Sequence, residues 1–189
     1  MRKGILLGMV VAGIILLIAG LLLLRSQSSG SNAGQAEIGQ VSLVSGGSSA
    51  VLDKGSLTPD FEIKYADGKI VRLSDFKGRP VMVNFWATWC KFCEREMPAI
   101  QQAYEKYKDD GFMVIGVDSK EPASKVAGFV ADYKLTFMMG IDPTDAVFRR
   151  YRGGGWPHSV FVDREGIVRG MYAGQLSASQ LEQFIGEIR

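Results

Sequence analysis

The sequence predicts an α/β fold, with a central mixed β-sheet flanked by helices, an N-terminal β-hairpin extension and a transmembrane helix. Two short apolar runs typical of buried strands, residues 81–86 and 112–117, alternate with helical patterns. A hairpin pattern follows at residues 159–162 and 167–172. Strands joined through helices pair in parallel, while a hairpin adds antiparallel strands, so the sheet should be mixed.

The remaining elements complete this domain, which we expect to span residues 55–189. An early hairpin is predicted at residues 61–65 and 70–73, around the turn Asp67-Gly68. Ser177 opens the last predicted helix, and Gln180 three residues later completes a capping box. Apolar residues at helical spacing predict three further helices, at residues 90–108, 122–133 and 142–151.

The N-terminus predicts a membrane anchor at residues 1–25. Residues 4–24 form an uncharged apolar run of about 21 residues, enough for a helix to cross the hydrocarbon core of a bilayer. Arg2 and Lys3 precede it and should stay in the cytoplasm. A cleaved signal peptide is the alternative, but its apolar region is shorter and ends at a small-x-small site. Either way, the rest of the chain is expected on the extracytoplasmic side, and with an uncleaved anchor the protein is a single-pass protein of the cell membrane.

Residues 26–54 are rich in Ser and Gly and predict a flexible linker, because this composition buries too little apolar surface to offset the entropy of ordering. A short strand at residues 41–44 has only weak support. The linker therefore separates the predicted anchor from the predicted domain.

Composition excludes some classes of partner. The chain has 189 residues and a formal net charge of +2, without the clustered basic face that nucleic-acid binding requires. A structural zinc site usually takes four cysteine or histidine ligands, and this chain has only two cysteines and one histidine. We expect no nucleic acid partner, no metal and no cofactor.

Cys90 and Cys93 are the only cysteines, and they form one C-x-x-C at the predicted start of a helix. Free backbone N–H groups and the positive end of that helix favour a thiolate, and Lys91 adds positive charge. We therefore predict Cys90 as the nucleophile and Cys93 as the resolving thiol, at an accessible electropositive tip. A passive disulfide staple is the alternative, although so short a loop restrains the unfolded chain only weakly.

The run Val83-Asn84-Phe85-Trp86-Ala87-Thr88-Trp89-Cys90-Lys91-Phe92-Cys93-Glu94-Arg95-Glu96-Met97-Pro98 resembles the active-site segment of membrane-anchored, thioredoxin-like proteins of the TlpA and ResA type. Thr58-Pro59-Asp60-Phe61 and Trp156-Pro157 support the resemblance. It implies a thioredoxin-like fold over residues 55–189 and a thiol–disulfide oxidoreductase. Three departures affect the redox potential and the choice of partner: Phe92 replaces a usual proline, Trp156 replaces a small or β-branched residue, and three glycines precede Trp156.

The same resemblance implies roles for residues around the cysteines. Glu96 should transfer protons to or from them, with its pKa raised by a neighbouring thiolate; the alternative is a solvated first-turn glutamate. Trp89 should shield the disulfide, or else pack in the core. Trp156 should offer its backbone to a partner chain, beside a cis Pro157 that turns the loop toward the cysteines. An ordinary trans proline is the alternative for Pro157.

These observations predict an extracytoplasmic enzyme that exchanges the Cys90–Cys93 disulfide with protein thiols or disulfides, most simply as a reductant. The resemblance implies apocytochrome c as one possible substrate, through cytochrome c maturation. A peroxiredoxin-type peroxidase is disfavoured, because Thr88 stands two rather than three residues before Cys90. A copper-delivery protein is also disfavoured, because the cysteine spacing is one residue too short, although His158 is present.

Overall fold

The computed structural model describes residues 37–45 and 51–189. These residues build one eight-stranded sheet, whose strands in chain order are β1 (Ile38–Leu43), β2 (Phe61–Lys64), β3 (Ile70–Arg72), β4 (Val81–Trp86), β5 (Met113–Ser119), β6 (Met138–Asp142), β7 (His158–Val162) and β8 (Val168–Ala173). The helices are α1 (Lys91–Tyr107), α2 (Ala123–Asp132), α3 (Ala146–Arg150) and α4 (Ala178–Ile188), with short 3-10 helices at Leu73–Phe76 and Lys108–Asp110.

The sheet has the order β3-β2-β1-β6-β5-β4-β7-β8. Strands β1, β6, β5 and β4 are parallel to one another, whereas the hairpins β2–β3 and β7–β8 pair antiparallel at the two sides. One apolar core lies between the sheet and α1, α2 and α4, and another between the sheet and α3. The prediction of a mixed sheet with helices on both faces is confirmed.

Strand β1 differs from the sequence prediction, because it falls within the predicted flexible linker. It lies inside the sheet, antiparallel to β2 and parallel to β6. Val41 is buried, and a Cβ added to Gly39 would overlap the side chain of Ile63. The glycine that made this segment resemble a linker is therefore needed for close packing, and the folded domain begins before residue 55.

Strand β6 was not predicted from the sequence. Its five residues include Gly140, where an added Cβ would overlap the side chain of Val41 in β1. Gly39 and Gly140 are register partners in the parallel β1–β6 pair. β1 and β6 therefore pair with each other across about 100 residues of sequence. Local sequence patterns do not reveal such a pairing.

The predicted membrane anchor lies outside the described residues. Within residues 37–45 and 51–189, no helix combines the length and the apolar character needed to cross a membrane.

Candidate active site

Cys90 occupies the N-cap of α1, at the end of the loop that follows β4. It forms a disulfide with Cys93, and the two Cα atoms lie 5.2 Å apart. The Cys90 Sγ accepts a hydrogen bond of 3.1 Å from the backbone N–H of Cys93. This N–H is one of the free donors at the start of the helix, so it stands where it would stabilise negative charge on the Cys90 sulfur after reduction.

Both cysteines are buried in the disulfide state. Cys93 has no exposed surface, whereas Cys90 as a residue retains 6% exposure. The open, accessible tip that we expected is therefore corrected: both cysteines are buried, and of the two only Cys90 keeps any exposed surface. Since a partner thiol must approach the sulfur it attacks, this difference supports the assignment of Cys90 as the nucleophile and Cys93 as the resolving thiol, which stays a prediction.

The charge at the rim of the site is more balanced than the sequence suggested. The Lys91 ammonium pairs with the Glu94 carboxylate at 2.9 Å, and Glu94 also accepts a 2.6 Å hydrogen bond from the Tyr133 hydroxyl. The hydrogen bonds from Tyr133 and then Lys91 lower the pKa of Glu94 and keep it ionised. Glu94 therefore offsets the positive charge that Lys91 was expected to offer the thiolate.

Glu96 lies on α1 three residues after Cys93, on the same side of the helix, and is 1% exposed. It accepts hydrogen bonds of 2.9 Å from the side-chain amide of Asn84 on β4 and from the N–H of Leu176. Burial raises its pKa to about 7, although these two hydrogen bonds act in the opposite direction. The expectation that a neighbouring thiolate would cause this shift is corrected, because it arises with the cysteines joined in a disulfide. The alternative of a solvated glutamate is excluded.

Asn84 connects Glu96 to the rest of the sheet. The same amide nitrogen that donates to Glu96 also donates a 3.0 Å hydrogen bond to the hydroxyl of Ser159 on β7. Asn84 and Ser159 are register partners across β4 and β7. A buried polar network thus links α1, β4 and β7 beneath the disulfide-bearing end of the helix.

The peptide bond between Trp156 and Pro157 is cis, which confirms that prediction. The Trp156 indole stacks on the Phe148 ring with centroids 4.7 Å apart, and Trp89 meets Trp156 edge-on at 5.2 Å. Trp89 is 55% exposed and Phe92 56%, so core packing of Trp89 is excluded. We call Trp89, Phe92 and Trp156 the aromatic rim. The shielding role of Trp89 and the backbone role of Trp156 remain predictions.

His158 and the acidic pair Asp118 and Glu121 complete the surroundings. The His158 ring is buried, bonds through Nε2 to the Tyr151 carbonyl oxygen at 3.0 Å, and has its pKa lowered mainly by burial. It is a neutral packing residue. Neither Asp118 nor Glu121 was among the predicted site residues, although a carboxylate at the end of a buried strand is a signal that could have found Asp118. The structure places both close to the loop that carries Cys90.

A sequence profile of the AhpC/TSA family matches residues 55–171. The chain belongs to the AhpC/TSA family. It is 36% identical over 137 residues to the thiol-disulfide oxidoreductase ResA of Bacillus thuringiensis subsp. konkukian (strain 97-27), covering 72% of this chain and 79% of that protein.

Solved structures of related proteins agree with this assignment. The fold matches that of the proposed thiol:disulfide interchange protein DsbE from Chlorobium tepidum with a TM-score of 0.66 and 36% identity, over 71% of this chain and 96% of that one. A thiol:disulfide interchange protein from Bacteroides sp. matches with a TM-score of 0.62 and 28% identity, over 72% of this chain and 93% of that one. The predictions of a thioredoxin-like fold and of a thiol–disulfide oxidoreductase are confirmed for this AhpC/TSA family member.

Proposed function

We propose that this oxidoreductase is a reductant, tethered by residues 1–25 to the extracytoplasmic face of the cell membrane, which reduces disulfides in partner proteins. Apocytochrome c is the partner class that we propose, with a role in cytochrome c maturation. The observation that carries the redox direction is the buried carboxyl group of Glu96, three residues after Cys93 on α1, together with the pairing of Lys91 with Glu94.

The physical argument concerns the thiolate. A dithiol whose thiolate is strongly stabilised makes its disulfide a strong oxidant, as in proteins with potentials near −120 mV. Here the helix end favours the Cys90 thiolate, but the charge of Lys91 is offset and a second negative charge on Glu96 would oppose it. The disulfide state is therefore favoured relative to such oxidants, which makes the dithiol a better electron donor.

The exchange proceeds in two steps. In the reduced protein, the Cys90 thiolate attacks one sulfur of the partner's disulfide, breaks that bond and releases the other sulfur as a thiolate, which takes up a proton. Glu96 then accepts the proton of the Cys93 thiol, and the Cys93 thiolate attacks the Cys90 sulfur of the mixed disulfide. This step restores the Cys90–Cys93 bond and releases the second partner thiol, so two electrons have passed to the partner.

The redox direction is tested by equilibrating the full-length protein with thiol–disulfide buffers of known potential. We expect a midpoint at or below about −250 mV, whereas a value near −120 mV would identify an oxidant and overturn the proposal. The role of Cys90 is tested separately: Cys90→Ser should abolish disulfide exchange on a model protein substrate, and unchanged activity would remove Cys90 from the mechanism.

The location is tested in intact cells. A reporter enzyme that folds only outside the cytoplasm, fused after residue 189, should be active. The protein should also remain in the membrane fraction after a high-salt wash. An inactive reporter, or release of the protein into the soluble fraction, would contradict the proposed anchor.

A further inference from the structure

A second buried carboxyl group, Asp118, lies near the loop that carries Cys90. Asp118 is in β5, opposite Trp86 of β4, and its side chain is fully buried. Its Oδ1 accepts a 3.1 Å hydrogen bond from the backbone N–H of Glu121, while its buried Oδ2 has no hydrogen-bond partner of ordinary geometry among the described residues. A buried carboxyl oxygen in such a place is far less costly when the group carries a proton.

Glu121 binds the Cys90 loop directly. Its carboxylate accepts hydrogen bonds from the backbone N–H of Thr88 at 2.5 Å and from the Thr88 hydroxyl at 2.8 Å. The Lys125 ammonium on α2 contacts the same carboxylate at 2.6 Å. Since Thr88 stands two residues before Cys90, this double contact fixes the chain just ahead of the nucleophile.

The pKa values of Asp118 and Glu121 are shifted in opposite directions. Burial, reinforced by the nearby Glu121 carboxylate, raises the pKa of Asp118 to about 8. Burial alone would also raise the pKa of Glu121, but hydrogen bonds from Lys125 and Thr88 outweigh it and the net shift is downward. At neutral pH, Asp118 is therefore protonated and Glu121 ionised. The charged groups that face Asp118 are Glu121, from the loop after β5, and Lys125, from α2; Trp86 of β4 and Thr88 of the loop bring no charge.

We propose that Asp118 and Glu121 form a positioning pair for Cys90, in which ionised Glu121 holds Thr88 and protonated Asp118 leaves Glu121 undisturbed. When Asp118 loses its proton, two buried carboxylates face each other and repel, because the low dielectric of the interior screens them weakly. The contact between Glu121 and Thr88 then weakens, and the loop before Cys90 opens more often. The site thus contains a second proton-dependent group besides Glu96, acting through the backbone rather than on the sulfurs.

The test uses amide hydrogen exchange in the oxidised full-length protein, where the cysteines do not titrate. We expect the protection factor of the Thr88 amide, corrected for the intrinsic pH dependence of exchange, to fall at least about tenfold between pH 6.5 and pH 9.5. The amide of Phe85, in the middle of β4, is the internal control and should stay protected at both pH values.

Two variants separate the parts of the pair. Asp118→Asn retains the Oδ1 acceptor without a titratable charge, so the Thr88 protection factor should no longer depend on pH. Glu121→Ala removes both acceptors of the Thr88 hydrogen bonds and should lower that protection factor at both pH values. Equal pH dependence in wild type and Asp118→Asn, or full protection of Thr88 in Glu121→Ala, would overturn the proposal.

If a variant fails to fold, the wild-type protein still allows a test. The carbon-13 shift of the Asp118 carboxyl group should titrate near pH 8 in the oxidised protein, and titration near pH 4 would overturn the proposal.

The proposal rests on Cys90 as the exchanging sulfur but not on the redox direction. A potential near −120 mV would therefore refute the reductant role and leave the positioning pair untouched.

Discussion

The indole of Trp156 lies flat on the ring of Phe148, with 4.7 Å between centroids and 9° between planes. Trp156 immediately precedes the cis Pro157, and Phe148 belongs to α3 on the other side of the intervening loop. The short helix α3 therefore sets the orientation of one side of the aromatic rim. Trp89 completes the contact by packing edge-on against Trp156.

Gly153 should be essential to this arrangement. A Cβ on Gly153 would overlap the Phe148 ring, so Gly153→Ala must displace that ring and disturb its stack with Trp156. We expect a loss of about 1–3 kcal/mol in the free energy of unfolding, measured by urea denaturation, and a raised KM for protein disulfides.

Gly154→Ala is the matched control, because no atom lies within 4 Å of its added Cβ. It should leave both quantities near their wild-type values. Equal effects of the two substitutions would show that the loop, and not the Phe148 contact, matters.

Glu96 should make the stability of the oxidised protein depend on pH. Its folded-state pKa of about 7 is above the ordinary value of 4.5, so the folded state binds this proton more tightly. The favourable contribution is fully present below about pH 4.5 and is lost as the pH rises through 7. We expect the free energy of unfolding to fall by up to about 3 kcal/mol over this range in wild type, relative to Glu96→Gln.

Denaturant unfolding at pH 4.5, 6 and 8 measures this difference. Glu94→Gln is the control on the same helix: the pKa of Glu94 is lowered, so its contribution is lost only below its ordinary titration range. A parallel pH dependence in wild type and Glu96→Gln would show that Glu96 titrates normally.

The sequence predicted those elements whose signals are local. Strand β4 is a continuous apolar run, Cys90 sits where the helix pattern begins, and Ser177 with Gln180 forms the predicted capping box at α4. Strand β6 was not predicted, and β1 was indicated only by the weakly supported strand at residues 41–44, because Gly39 and Gly140 interrupt the apolar pattern that identifies a strand. Those glycines are explained only by the parallel pairing of distant segments, where added Cβ atoms would overlap neighbouring side chains.

The sequence identified the residues of the candidate site but not their burial or their hydrogen bonds. The resemblance to the TlpA and ResA motif singled out Glu96, yet only the structure shows that Glu96 is buried and bonded to Leu176. The ion pair of Lys91 with Glu94 depends on side-chain rotamers, and Tyr133, which fixes Glu94, comes from a segment distant in sequence. The sequence therefore indicated the chemistry, while burial and hydrogen bonding set its electrostatics.

Access should decide which cysteine forms the mixed disulfide with a partner. Because Cys90 keeps some exposure and Cys93 has none, Cys93→Ser should accumulate a covalent complex with a disulfide-containing protein, whereas Cys90→Ser should not. Mass spectrometry of the non-reduced mixture identifies the bonded cysteine. A complex of similar yield through Cys93 in Cys90→Ser would reverse the assignment of the two thiols.

Strand β1 should be necessary for a stable domain. A fragment of residues 55–189, close to the range that the family profile matches, lacks β1, exposes the edges of β2 and β6, and uncovers the core at Ile63. We expect it to lose at least about 3 kcal/mol of unfolding free energy relative to residues 35–189, or to aggregate through the open edges. Calorimetry and size-exclusion chromatography compare the two fragments, and equal melting temperatures would contradict the prediction.

If residues 1–25 form the proposed anchor, the docking of β1 also shortens the tether between the membrane and the domain. In a chain anchored through residues 4–24, only residues 25–37 separate the bilayer from Ile38, and fully extended they reach about 45 Å. Residues 26–54, if free throughout, would have reached about 100 Å. Under the proposed anchoring, the ordering of β1 thus removes about half of the tether length that the sequence alone predicted, and substrates close to the membrane would be favoured over proteins diffusing at a distance.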